Sequence, residues 1–189
     1  MLTCAKIAAN ATIGSCRMGN TAITGDIILI NWDDFKEASI TESSSVISAI
    51  TLNGTDKAYR ISSKEKANEA SYTMNKGTYG NSFVHQVIIR AFDRSQNTKD
   101  LINKLAQGRF AAIVEHVDPS SNDTVYELFG RQNGLVASAI ENNSNDADGV
   151  IGTITLASED NARESEIPTS IYVTSLSATK TMIDALVAS

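Results

Sequence analysis

Val46-Ile47-Ser48-Ala49-Ile50-Thr51-Leu52, interrupted by Asn53-Gly54 and resumed as Lys57-Ala58-Tyr59-Arg60-Ile61, is the strongest local signal in the chain. Both runs are strand-like, and Asn-Gly supplies the positive φ angles that tight two-residue hairpins need. The spacing predicts a β-hairpin over residues 46–61. Upstream, Asp26-Ile27-Ile28-Leu29-Ile30-Asn31-Trp32 is a short apolar run bounded by Gly25 and by Asp33-Asp34. Downstream, residues 83–92 form a long strand with a mostly apolar centre. Further strands are expected at 110–117, 125–129, 135–140 and 150–157, and a weak one at 169–174. The turns between them are rich in Asp, Asn, Ser and Gly.

Helical spacing occurs twice. Leu101, Ile102, Leu105 and Ala106 predict a helix within 95–107, capped by Asn97 or Thr98 and stopped by Gly108. Leu176, Met182, Ile183, Leu186 and Val187 predict a C-terminal helix or arm over 175–188, with a Ser cap. Strands that follow strands at short spacing favour an antiparallel sandwich or barrel over a parallel α/β sheet. The expected fold is therefore mainly β: an antiparallel β-sandwich or barrel with one inserted helix and a C-terminal helix or arm. No Pro-rich or Gly/Ser-rich linker divides the 189 residues, so one domain is expected.

Residues 62–82 stand apart. Their only large apolar residues before Phe83 are Tyr72, Met74 and Tyr79, too few for a core strand. This stretch reads as an extended hairpin or arm. Residues 1–25 read as an N-terminal arm.

Composition excludes several function classes. The net charge is −6, and Lys and Arg form no run, which disfavours binding to a phosphate backbone. No apolar stretch reaches the roughly 18 residues of a membrane helix, and the first ten residues lack the pattern of a secretory signal. Synthesis and folding in a cytoplasm are expected. Cys4 and Cys16, the only cysteines, have no nearby ligands to complete a zinc set and read as reduced thiols. Gly77-Thr78-Tyr79-Gly80 lacks both the spacing and the Lys of a P-loop.

His85 and His116 fall inside predicted strands, and no G-x-S-x-G elbow marks a nucleophile for either. Asp33-Asp34 reads as a turn start, because neighbouring strand residues point to opposite faces and chelate poorly together. Aligning residues 142–149 to a calcium loop places Ser144 and Thr155 where carboxylates are required, so that reading fails. No catalytic residue, metal or cofactor is expected. Trp32, Tyr72, Met74 and Tyr79 are the candidate subunit contacts.

Leu2-Thr3-Cys4-Ala5-Lys6 leads into Ile28-Leu29-Ile30-Asn31-Trp32-Asp33-Asp34-Phe35. Later come Lys76-Gly77-Thr78-Tyr79-Gly80-Asn81-Ser82-Phe83, Val125-Tyr126-Glu127-Leu128-Phe129-Gly130-Arg131-Gln132-Asn133-Gly134 and Gly149-Val150-Ile151-Gly152-Thr153-Ile154-Thr155-Leu156. Together these segments resemble virion structural proteins of phages and prophages of Bacteroides-like bacteria, and the order of elements is similar to tail tube proteins. The resemblance implies a homo-oligomeric ring, commonly a hexamer, whose sheets join around a channel. It implies neighbouring tail or connector proteins as partners, arms that reach adjacent subunits, and a place in the virion tail. DNA would pass through such a channel without specific binding, which suits an acidic protein. A non-catalytic ligand-binding β-sandwich is the competing expectation.

Overall fold

The structure, a computed structural model, describes residues 11–13, 23–63, 67–78, 80–116, 122–142 and 150–188. In chain order it contains β1 (Ala11–Ile13), β2 (Ile23–Asn31), α1 (Trp32–Lys36), β3 (Ser39–Ser43), β4 (Val46–Thr51), β5 (Ala58–Ser63), β6 (Glu69–Lys76) and β7 (Asn81–Ala91). Then follow α2 (Gln96–Gln107), β8 (Arg109–His116), β9 (Tyr126–Phe129), β10 (Leu135–Asn142), β11 (Gly152–Ala157), β12 (Thr169–Ile171) and α3 (Leu176–Leu186). The protein is mainly β, and all twelve described strands belong to one sheet.

The centre of that sheet is the antiparallel pair β2–β8. Its residues alternate between two hydrophobic cores. Ile27 and Leu29 of β2, with Phe110, Ala112 and Val114 of β8, enter the first core. There they meet Ile61, Val87, Ile89, Ile154 and Leu156 from three other strands, and Leu101 and Leu105 from α2. Ile28, Ile30, Ala111 and Ile113 face the second core, with Ile47, Ile50, Leu128, Ile171 and, from α3, Ile183 and Leu186. A strand covered on both faces has no solvent side to keep polar. The unbroken apolar runs Ile27-Ile28-Leu29-Ile30 and Phe110-Ala111-Ala112-Ile113-Val114 follow from that double burial.

Three sequence expectations are corrected. The sheet is mixed, because β1 runs parallel to β5 and β12 runs parallel to β4. It is also open: β3 and β6 end its main path, so the described strands do not close into a barrel.

Residues 46–61 are not a hairpin. Asn53-Gly54 does make a tight turn, with Gly54 at φ 52° and the Asp56 N–H bonded to the Asn53 carbonyl. Yet β4 pairs with β3 and β12, whereas β5 pairs with β2 and β1. Ile47 and Ile50 belong to the second core and Ile61 to the first, so burial draws the two strands apart. The tight hairpin is β3–β4, closed through Ser44 and Ser45, which both carry positive φ (51° and 63°).

Both expected helices are present. α2 begins two or three residues earlier than Asn97 or Thr98 would place it, because the Ser95 hydroxyl accepts the Thr98 N–H at 3.2 Å. Ser175 caps α3 in the same way through the Ala178 N–H. Asp33 and Asp34 follow the end of β2 and lie in the first turn of α1, where carboxylates favour the positive helix end. Cys4, Cys16 and residues 143–149 lie outside the described residues, as does most of 1–25. Of that last segment, Ala11–Ile13 pairs with β5, and β2 begins at Ile23.

Candidate assembly surface

Residues 69–76, read from the sequence as part of an extended hairpin or arm, form the outer strand of a long hairpin. β6 pairs with β7 without a break from Glu69–Ile88 to Lys76–Asn81. At its tip the Gly77 N–H bonds the Gly80 carbonyl at 2.9 Å. A Cβ on Gly77 would stand 2.7 Å from that same oxygen, so the close approach needs glycine.

Side chains alternate along β6. Ala70, Tyr72 and Met74 share one face, opposite Val87, His85 and Phe83 of β7. Ala70 packs on the first core. Tyr72 and Met74 run beyond it, 46% and 59% exposed. Tyr72 makes edge-to-face contacts with Phe83 (6.4 Å between centroids) and His85 (6.5 Å). Among the described residues, no strand pairs with the other edge of β6.

The hairpin is anchored from below by polar groups. His85 is 1% exposed, and its Nε2 lies 2.9 Å from the Glu166 carbonyl. Its Nδ1 accepts the Gly130 N–H at 3.1 Å, so the proton sits on Nε2, which donates to that carbonyl. The Phe129 ring meets the imidazole edge-to-face at 5.5 Å. Burial holds the His85 pKa down at about 4, against weaker upward pulls from the Glu166 carbonyl bond and from Glu127.

Beside it, Glu164 is also 1% exposed. Burial raises its pKa, although its carboxylate accepts the N–H groups of Gln132 (2.8 Å) and Asn133 (3.0 Å). The loop 130–134 is held further by Arg109, which donates to the Asn133 carbonyl and pairs with Glu159. Arg131 reaches Glu42 on β3 and lowers that carboxyl's pKa. Gly130 and Gly134 both carry positive φ, and the Gly134 N–H bonds the Gly130 carbonyl. A Cβ on Gly134 would meet Arg109 at 2.8 Å and the Trp32 ring at 2.9 Å.

The four sequence candidates are therefore not gathered in one place. Tyr72 and Met74 stand together on β6. Trp32 opens α1, half-buried, stacked on Phe35 and against Gly134. Tyr79 lies outside the described residues. His116 pairs with Glu127 at 2.9 Å, on the opposite end of β8 from α2.

Sequence reasoning missed Glu164 as a buried anchor, because it sits in a polar stretch with no periodicity. The Gly130…Gly134 spacing, legible as a turn, was the only local hint that something must bind its inward amides. Among the described residues no group of three or more His, Cys, Asp or Glu is placed to hold a metal ion, and no helix is long and apolar enough to cross a membrane. No family model, curated protein or solved structure matches the chain.

Proposed function

We propose that this protein is a structural subunit that assembles with copies of itself, of the ring- or tube-forming kind found in phage tails. The observation that carries this reading is β6, an eight-residue strand with one edge unpaired among the described residues and two large apolar side chains left in solvent. An exposed, flat, apolar edge is a template for another strand, and a protein that keeps one has a use for it. The polar anchors beneath the hairpin support the same role, since both ring nitrogens of His85 are committed to backbone groups that hold β7 against neighbouring loops. The acidic balance suits a channel through which DNA slides without sticking. In this reading the architecture is tail-tube-like, the copies form a ring, with a hexamer as the expected closure, and other tail or connector proteins are its neighbours.

A ligand-binding module is the second reading, favoured by a hollow of about 260 Å³ beside α2, floored by Ala91, Ile102 and Gly152 and rimmed by Arg94 and Lys99. Light scattering with negative-stain microscopy across a concentration series separates the two. Rings or tubes with a central channel are expected. A compact monomer at every concentration would overturn the assembly reading and turn attention to the hollow.

A further inference from the structure

We infer that the first contact in assembly is a two-fold pairing of β6 with β6 of a second copy, antiparallel, with Tyr72 of each chain opposite Met74 of the other. The inference rests on the self-assembly reading and names the surface it starts from: a two-fold contact closes on two copies, so β6 joins the chains in pairs and a second, heterologous contact between pairs closes the ring.

Soluble proteins protect open edges with proline, a bulge, a short strand or a central charge. β6 has none of these between Ala70 and Asn75: no proline, no charge, and no register shift against β7. The other described open edges are guarded. β3 has five residues, a bulge between Thr41 and Glu42, and Glu42 itself. The outer half of β10, which β8 leaves unpaired, has a bulge between Ala137 and Ala139 and carries Glu141. β1 has three residues. Among the described strands, the open edge that matches β6 in length and lack of protection is β6 itself. A surface that pairs with its own copy does so about a two-fold axis.

The register follows from the hairpin. Because the Gly77 N–H bonds the Gly80 carbonyl and pairs alternate along an antiparallel ladder, odd-numbered residues of β6 turn their amides toward β7. The N–H and C=O groups of Ala70, Tyr72, Met74 and Lys76 are left for the open edge. A two-fold axis perpendicular to the sheet keeps each side chain on its own face, so Tyr72 and Met74 meet their counterparts on one side. Centring the pair on Thr73 sets each Tyr72 ring against a Met74 thioether, a favourable sulfur–aromatic contact made twice. Centring it on Tyr72 would set Met74 against Ala70, which is already packed on the first core.

Thr73 then faces Thr73 of the second copy across a non-hydrogen-bonded pair, where Cα atoms lie about 4.5 Å apart, within disulfide reach. In a full-length Cys4→Ser/Cys16→Ser background, Thr73→Cys is expected to form a disulfide dimer under mild oxidation, and Tyr72→Cys to do so at least tenfold more slowly. Thr73 is exposed, so charged substitutions there leave the fold intact, as thermal unfolding will verify. Thr73→Glu and Thr73→Lys alone are each expected to weaken association at least tenfold, because like charges face each other. An equimolar mixture of the two is expected to restore it.

Wild-type assemblies together with unimpaired Thr73→Glu assembly would overturn this contact and leave the self-assembly reading standing. A wild-type protein that never associates would overturn both.

Discussion

His85 joins three parts of the chain: β7, which carries it, the loop whose Gly130 N–H it accepts, and the segment whose Glu166 carbonyl it reaches. Its neutral form makes both contacts, and protonation removes the acceptor that Gly130 needs. The unfolded chain's histidine titrates near 6.5, while the folded one is held at about 4. Between those values the unfolded state binds a proton that the folded state refuses. The stability due to neutral His85 is therefore complete above about pH 6.5 and is lost as the pH falls toward 4, a decline of roughly 3 kcal/mol. Glu164 acts in the opposite sense, because its raised pKa makes the folded state the better proton acceptor. Comparing urea unfolding of the wild type and His85→Asn from pH 7 to pH 4 separates the two, since Glu164 is unchanged. The variant is expected to show the shallower fall with acid, and equal slopes would refute the assignment. The sequence placed His85 in a strand. It could not name partners that lie 45 and 81 residues away.

Turn chemistry is local, but the choice of strand partner is not. Asn53-Gly54 bends the chain as its residue types dictate, and the strands on either side still part company, because each carries isoleucines into a different core. The hairpin that does form turns on Ser44 and Ser45, two residues with no special tolerance of positive φ. Their strain is accepted because β3 and β4 gain an antiparallel ladder across five residue pairs. Moving the favoured turn to this place is therefore expected to stabilise the fold: Ser44→Asn/Ser45→Gly should raise stability by about 1 kcal/mol in chemical denaturation. The gain comes from relieving the left-handed strain at both positions. A loss of stability would mean that the serine side chains make contacts worth more than the relief.

At the scale of the whole molecule, association brings together chains that each carry −6. The proposed contact uses backbone groups, Tyr72 and Met74, none of which needs an ion pair. Raising the salt from 0.1 M to 1 M shortens the screening length from about 10 Å to about 3 Å and weakens repulsion between copies. Larger particles are therefore expected at high salt in light scattering at fixed protein concentration. Dissociation by salt would point instead to an interface held by ion pairs.

The sequence by itself determined which segments are strands and helices, because periodicity and capping act over a few residues: β7, β8, β9, β11, α2 and α3 all stand within a few positions of where their apolar patterns place them. It also determined that 69–76 carries too little apolar surface to lie in a core. Only the tertiary structure decided how the strands are ordered, that two of the pairings run parallel, and that β2 and β8 serve two cores at once. It alone joined His85 and Glu164 to the loop 130–134 and left the long edge of β6 unpaired among the described strands. Those outcomes depend on which apolar faces can be buried together, a choice made between residues far apart in the chain and carried by no local pattern.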